Sequence, residues 1–373
     1  MKIGIDVREF KKGVYTGLRT ILEDFLTYVG REYEFVFFGN QHTDFDSIPA
    51  PGKHVMLNEV CTLWWDQVRL PAALKREKIN VFFSPYIKTP LKRVCPYVST
   101  VCDVIPLVVS RYRNLKGMLE RMYFRFYVHV CSRRSVKVIT LSEDAKNKIS
   151  SMFGIKKDKL EVAYPSVVVP ATSTEYDNKE DLMVKRYGLD KPYLLYVGNF
   201  KPHKNINRLI SAYCLLPQEA RDKFRLMLVG GSEKETGTMY SFLISHGLIG
   251  KVIPVENISH DDIWFFLEHA SIFVFPSLAE GFGIPPVEAM AVGVPVVSSG
   301  ILPMTEVLGD AAVFFDPRDS EDISKKILDL VNDKGLREYC VEMGLKRAAS
   351  FTAERLSEKI MRVIVNAGAG TGR

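Results

Sequence analysis

Residues 271–299 run SIFVFPSLAEGFGIPPVEAMAVGVPVVSS. A short apolar run ends at Pro276, and a loop follows with Glu280-Gly281-Phe282-Gly283. Pro285-Pro286 then opens a short helix that stops at Gly293 and feeds the next apolar run. Proline suits a first helical turn, where the amide hydrogen has no intrahelical partner. Strand, glycine loop, helix and strand in this order make one unit of a doubly wound α/β sheet. Gly281 and Gly283 let the backbone approach a ligand closely. The helix start aims amides and a positive dipole end at that ligand, which suits an anion. Glu280 on the loop and Glu288, expected in the first turn, lie eight residues apart and flank the anion site. Carboxylates placed there accept hydrogen bonds most naturally from sugar and ribose hydroxyls. The plainer alternative is a helix-capping Glu288 and a solvated Glu280.

The same rhythm extends outward in both directions. Apolar, β-branched and aromatic runs at 2–7, 33–38, 79–83, 97–102 and 138–141 form one series of expected strands; 193–197, 224–229, 271–275, 294–297 and 312–315 form a second. Several lack polar alternation, as in parallel strands covered by helices on both faces. Between them, Leu18, Ile21, Leu22, Phe25, Leu26 and Val29 recur at helical spacing. Pro165, Pro170 and Ala171-Thr172-Ser173-Thr174 mark a polar, proline-bearing link between the series. The expected architecture is α/β: two doubly wound Rossmann-like domains with a cleft between them. These are a first domain over 1–170, a linker over 171–191 and a second domain over 192–351. The tail over 352–373 reads as a C-terminal helix, with Leu356, Ile360, Val363 and Ile364 on one face. Gly368-Ala369-Gly370-Thr371-Gly372 reads as a frayed end or an expression remnant.

Composition narrows the class. The chain has 373 residues, 47% hydrophobic and 25% charged, which is ordinary globular usage. Lys+Arg 50 against Asp+Glu 44 gives a net charge of +6, too mild to indicate a nucleic-acid binder. Cys61, Cys95, Cys102, Cys131, Cys214 and Cys340 contain no CxxC pair and read as reduced thiols. Asp6 interrupts the first apolar run too early for a signal peptide, and no run approaches a membrane span. The expectation is a soluble, cytoplasmic protein.

Glu280-Gly281-Phe282-Gly283-Ile284-Pro285-Pro286-Val287-Glu288 strongly resembles the E-x7-E signature of retaining glycosyltransferases of family four, which have the GT-B fold. Three further segments match in order: Tyr196-Val197-Gly198-Asn199-Phe200-Lys201-Pro202-His203-Lys204-Asn205, Gly309-Asp310-Ala311-Ala312 and Val138-Ile139-Thr140-Leu141-Ser142. The resemblance covers nearly the whole chain; it implies an acceptor-side domain over 1–170, a nucleotide-sugar domain over 192–351, a C-terminal helix over 352–373 that crosses back to the first domain, and a role for each matching residue. Glu288 would hold the ribose hydroxyls, and Glu280 the hydroxyls of the transferred sugar. Phe282 and Gly283, through their amides, and Ile284 would line the sugar and phosphate. Lys204 would neutralise the diphosphate, stabilising the charge that builds as it departs. Many relatives carry arginines where Asn199 and His203 stand, so His203 either supplies part of a second positive charge or orients the sugar nucleotide.

In the first domain, Gly13-Val14-Tyr15-Thr16-Gly17 resembles the glycine-rich loop facing donor and acceptor, with an unliganded tight turn as the alternative. Val101-Cys102-Asp103-Val104-Ile105-Pro106 resembles the segment where relatives have His-Asp. Cys102 therefore replaces a donor-contacting histidine, and Asp103 either serves the site or caps a turn. Asp44-Phe45-Asp46 sits in a polar loop without an apolar lead-in and is rejected as a metal site; no metal or other cofactor is expected. Residues 111–137 hold Arg111, Arg113, Lys116, Arg121, Arg125, Arg133, Arg134 and Lys137 against one acid, Glu120. Met118, Leu119, Met122, Tyr123, Phe126, Tyr127 and Val130 interleave as an apolar stripe. The plain reading is a helix with a solvated basic face and a core face; the sharper one is peripheral contact with an anionic membrane.

The expected activity is retaining, metal-independent transfer of a hexose from a nucleotide-diphosphate sugar, GDP-mannose or a UDP-hexose, to a glycan or lipid-linked acceptor. A sugar-nucleotide epimerase on the same fold and a silent sugar-nucleotide-binding protein are the alternatives. E-x7-E together with P-x-K-N speaks against the first, while Cys102, Asn199 and His203 make the second conceivable.

Overall fold

The structure, a computed structural model, describes residues 1–14, 16–109, 115–170, 184, 187, 189 and 191–370. The expected linker over 171–191 lies outside the described residues apart from isolated positions, as do Tyr15, Arg111 and Arg113. The chain divides into two compact units, Met1–Ser166 with Phe351–Arg373, and Val167–Ser350.

The first unit carries a parallel sheet of β1 (Lys2–Asp6), β2 (Glu34–Gly39), β3 (Lys53–Met56), β4 (Val81–Ser84), β5 (Tyr97–Thr100), β6 (Lys137–Thr140) and β7 (Leu160–Val162). The strand order is β3-β2-β1-β4-β5-β6-β7. The second carries β8 (Tyr193–Val197), β9 (Arg225–Val229), β10 (Val252–Val255), β11 (Ile272–Phe275), β12 (Val296–Ser299) and β13 (Ala312–Phe315), in the order β10-β9-β8-β11-β12-β13. Each order reverses beside its first strand, between β1 and β4 and between β8 and β11. Every paired register is parallel, so the carboxyl ends of the strands gather on one edge of each sheet. Ligands of such sheets bind outside those ends at the reversal point.

Inner strands are buried on both faces: β4, β5, β8 and β11 expose no residue. In the first unit, Phe38 meets Phe82 edge-on at 6.3 Å and Phe82 meets Tyr97 at 5.9 Å. Each such ring contributes roughly 1.5–3 kcal/mol by burial. The C-terminal helix Ala353–Ala369 starts at Thr352, whose side chain accepts from the Arg355 amide, and buries Leu356, Ile360, Val363 and Ile364. Ser357 Oγ donates to the Phe25 carbonyl at 3.0 Å, fixing the helix to Gly17–Thr27 within the first unit. The glycine-rich end differs from the frayed tail expected. Gly368 belongs to this helix, and a Cβ there would lie 2.8 Å from Met1 Sδ and 3.3 Å from Val81 Cβ. The glycine is what lets the helix reach β4.

At the reversal point of the first sheet, Arg8 follows β1 and is buried among acids. Its guanidinium pairs with Asp6 at 2.7 Å and Asp66 at 2.8 Å, and lies 3.6 Å from the Trp65 ring centroid. Asp66 sits in the π-helical turn Trp65–Arg69. Burial pushes its carboxyl up to about 6, against the pull of Arg8. Removing one partner of such a cluster strands buried charge. Arg8→Met should therefore lower the unfolding free energy by about 3–5 kcal/mol in urea titrations; a loss under about 1 kcal/mol would show that the acids do not depend on Arg8.

Candidate functional site

The reversal point of the second sheet brings together two loops distant in sequence. After β8 the chain turns through Gly198, which has φ +148, and a 3-10 turn Pro202–Lys204. Asn205 follows with φ 62 and starts the helix Ile206–Leu215. After β11 the chain passes Pro276 and runs through Glu280 to the helix Ile284–Ala291. The two loops are tied by backbone and side chain alike. The Leu278 amide donates to the His203 carbonyl at 2.7 Å, and Asn205 Nδ2 donates to the carbonyls of Pro276 at 3.0 Å and Pro317 at 2.7 Å. Sequence reasoning placed Asn205 in a motif without giving it this role; its signal was an asparagine where the chain needs a left-handed residue.

Lys204 Nζ reaches Glu280 Oε1 at 2.6 Å across 76 residues of sequence. Both side chains are largely buried, at 12% and 9% exposure. The ammonium also lies 5.3 Å from the Phe275 ring centroid, and Phe275 stacks on Tyr196 at 6.3 Å. Lys204, which at a helix start would oppose the helix dipole, is thus compensated by a carboxylate and a ring face. Around it, Tyr196 donates its hydroxyl to the Asn199 carbonyl at 2.9 Å, and Asn199 Oδ1 accepts from the Lys201 amide at 3.3 Å. The exposed Asn199 side chain shapes its own turn, while His203 is half-buried.

Gly283 caps the Ile284–Ala291 helix with φ +92, and a Cβ there would collide with the Met304 side chain. Any other residue would be strained and displaced at this position. Pro285 and Pro286 remove two amide donors from the first turn. Among the described residues the Gly283 and Ile284 amides have no protein acceptor, and no side chain caps the helix. The Phe282 side chain is in the core, 3% exposed, so only its backbone is left to line the loop. Glu288 is the fifth residue of the helix, one turn further in than expected. Its half-buried carboxyl has no hydrogen-bond partner among the described residues, and burial alone pushes it up to about 7. Val287, Ala289 and Met290 anchor the opposite face. The buried hydroxyls of Ser277, Ser298 and Ser299, at or just past the ends of β11 and β12, also lack partners among the described residues. Sequence reasoning passed over these serines, although Ser277 and the pair Ser298-Ser299 each follow an apolar run.

In the first unit, Gly13 turns with φ +71 in an exposed loop where a Cβ would meet nothing within 4 Å. Gly17 opens the helix capped by Thr16, and Thr16 Oγ1 donates to Glu9 at 2.8 Å. Asp103 Oδ1 accepts from the Ile105 amide at 2.8 Å, a local turn that leads into the short helix Ile105–Val108. Burial and then the neighbouring Asp103 push the Cys102 thiol up to about 12, which keeps it protonated.

Residues 178–347 match the family described as Glycosyl transferases group 1. The chain is 33% identical over 288 residues to the O-antigen chain mannosyltransferase B of Escherichia coli, covering 76% of this chain and 73% of that protein. Among solved structures, WaaG, a glycosyltransferase involved in lipopolysaccharide biosynthesis, superposes with a TM-score of 0.74 at 16% identity over 100% of both chains. HepE from Anabaena in complex with UDP-glucose gives 0.75 at 16% identity over 98% of this chain and 100% of that one. At that identity the two structures establish the fold, GT-B. By sequence, the chain belongs to the group 1 glycosyltransferases, glycosyltransferase family four.

Proposed function

We propose that the enzyme transfers a hexosyl unit, mannosyl from GDP-mannose, to a glycan or lipid-linked acceptor, with retention of anomeric configuration and without a metal ion. The observation that carries this reading is the meeting of Lys204 and Glu280 at 2.6 Å beside a helix start whose Gly283 and Ile284 amides are open. A cation and two backbone donors match a diphosphate, and the unpartnered Glu288 carboxyl one turn inside the helix matches a ribose diol. Mannose as the sugar is supported by likeness to an O-antigen chain mannosyltransferase. A UDP-hexose is the other donor to test, since the HepE structure holds UDP-glucose on the same fold. Such donors are cytoplasmic metabolites, which puts the reaction on the cytoplasmic side, at the inner face of the membrane where lipid-linked acceptors would be met.

Chemically, departure of the nucleoside diphosphate builds negative charge on the bridging oxygen. Lys204 would stabilise that charge from a fixed position, a task that needs no divalent ion. Glu280 holds the ammonium in place and offers its second oxygen to a sugar hydroxyl. Its carboxylate is engaged by Lys204 and is not assigned as a covalent nucleophile. The acceptor would therefore attack from the face that the diphosphate leaves, giving up its proton to a departing phosphate oxygen. Phe282, Gly283 and Ile284 would line the sugar and phosphate by their backbone, and Asn199 and His203 would shape the loop beneath. In this reading Gly13 and Gly17 belong to the loop that faces donor and acceptor, and Cys102, a neutral thiol, and Asp103 to the segment that meets the donor sugar.

Kinetics on purified variants separate the roles. Lys204→Ala should lower turnover by roughly 100-fold, about 3 kcal/mol, whereas Glu288→Ala should chiefly weaken nucleotide binding. Unchanged kinetics in both variants would remove the assignment. Proton NMR of the product should show the donor's own anomeric configuration, and an inverted product would refute the proposed geometry.

Affinity for the sugar nucleotide should depend on pH through Glu288. The ionised carboxylate accepts the ribose hydroxyls and the free group titrates at about 7, so binding weakens as the pH falls through that value. Calorimetry should find affinity about 10-fold lower at about pH 6 than at about pH 8. Glu288→Gln should flatten the profile; an unchanged slope in that variant would assign the titration elsewhere.

A further inference from the structure

Three loops of the first unit, following β1, β2 and β3, meet beyond the carboxyl edge of its sheet. Lys11 bridges to Thr43, and the Asp44 amide donates to the Phe10 carbonyl at 2.7 Å, tying the first loop to the second. Buried Asn40 ties the second to the third: its Nδ2 donates to Glu59, while its Oδ1 accepts from the His42 amide at 2.9 Å. Gln41 and Glu59 add a reciprocal pair, with Gln41 Nε2 donating to the Glu59 carbonyl at 3.1 Å and the Glu59 amide to Gln41 Oε1 at 2.9 Å. Lys11, Gln41, His42, Glu59 and Thr62 line a hollow of about 360 Å³ between these loops. That volume lies within the range of small-ligand sites, roughly 300–1,000 Å³. Burial works against ionisation of Glu59, but hydrogen bonds from Asn40 and Thr62, and then the charge of Arg8, hold its pKa below the usual carboxylate range. Exposed Lys11 has no partner for its ammonium among the described residues.

One side of the hollow is apolar. Val60 lines it, and Leu63 and Trp64 directly follow Thr62; the three are 82, 60 and 50% exposed. Trp64 closes the short helix Thr62–Trp64 where the chain enters the π-helical turn Trp65–Arg69. The next indole points the other way. Trp65 is buried, donates Nε1 to the Leu57 carbonyl at 3.0 Å and carries the Arg8 guanidinium on its ring. Trp65 thus anchors the turn that leaves Trp64 at the surface.

We propose that this hollow and Trp64 form a saccharide subsite that grips a sugar residue of the acceptor glycan. Sugar hydroxyls both donate and accept, so they need acceptors and donors side by side. Glu59 is an ionised acceptor; a carboxylate has about four lone-pair positions, and the hydrogen bonds from Asn40 and Thr62 leave room for more. Lys11 and His42 face it as donors. One firm anion beside one firm cation keeps the lining close to neutral, which favours neither a free phosphate nor a metal ion. A half-exposed indole offers a broad, rigid apolar face to the C–H face of a sugar ring, and apolar surface rimming a polar hollow marks a ligand groove. A protein partner is the poorer fit, because the centre of such an interface is depleted of charge. The walls are cross-tied in the free chain, so little ordering opposes binding. This inference rests on the reading that the enzyme extends a glycan, but not on the base or sugar of the donor.

Tryptophan fluorescence of the full chain tests it. Of the three tryptophans, Trp65 and Trp264 are buried, so quenching by acrylamide reports on Trp64. At least one of α-linked mannotriose, maltotriose and chitotriose should shift the emission and shield Trp64 from the quencher. Lys11→Met with His42→Ala, both at exposed positions, should weaken that binding by at least about 10-fold. Trp64→Ala, followed by calorimetry because the reporter is gone, should do the same. In transfer assays with the trisaccharide that binds, these variants should raise the acceptor KM by a similar factor and change kcat less than about two-fold. Each should keep the wild-type thermal unfolding and its shift by sugar nucleotide. A chain stabilised by a sugar nucleotide whose Trp64 no trisaccharide shields would overturn the subsite and leave the donor site standing. A chain that binds a trisaccharide but no sugar nucleotide would support the subsite and overturn the donor site instead. Saccharide binding indifferent to all three substitutions would also overturn the subsite, as would a dimer in sedimentation velocity that Trp64→Ala dissolves.

Discussion

The second unit is organised around a single electrostatic contact, the pairing of Lys204 with Glu280 where its sheet reverses direction. Each of these residues would be poorly placed alone. Lys204 stands just before a helix start, where the dipole disfavours a cation, and Glu280 is largely withdrawn from water. Together they neutralise each other and fix an ammonium at a defined point beyond the strand ends. Largely buried pairs of this kind add little net stability once desolvation is counted. What the pair supplies is position, a charge held at a fixed point, which the proposed function uses to meet a departing diphosphate.

The backbone around that pair is arranged to keep it in place. Asn205 bridges two carbonyls from loops that follow β11 and β13, and Leu278 is bonded to His203. Gly283 lets the Ile284–Ala291 helix start hard against Met304. The prolines then leave open amides only at the tip of that helix. The group with the most to gain from a ligand is Glu288, a half-buried carboxyl with no partner among the described residues. An unsatisfied buried polar group is costly unless something else supplies its hydrogen bonds.

Much of the fold was legible because inner parallel strands are continuous apolar runs. All ten runs identified in the sequence correspond to strands, within a residue or two at each end. The three that escaped, β3, β7 and β10, are all edge strands. All three are short, and β3 and β7 are only partly covered, β3 with a single buried residue in four, and so they give no long apolar signal. The helix Leu115–Arg134 shows a different limit. It has apolar residues on two faces, so periodicity identified a stripe at Met118, Met122 and Phe126 but not which stripe faced the core. At the candidate site, the glycine loop and proline-started helix could be read from residue types. The contact between Lys204 and Glu280 could not, because only tertiary folding brings together residues 76 apart. The register of Glu288 shifted for a local reason: the helix begins at Ile284, so the acid falls in its second turn.

The central claim is that Lys204, the Gly283–Ile284 amides and Glu288 form one donor site. A crystal structure with an intact sugar nucleotide bound examines it most directly. The account predicts diphosphate oxygens within about 3 Å of Lys204 Nζ and of at least one of those amides, with the ribose hydroxyls on the Glu288 carboxylate. A nucleotide seated away from the carboxyl ends of β8 and β11, leaving Lys204 on Glu280 and Glu288 without a partner, would contradict it.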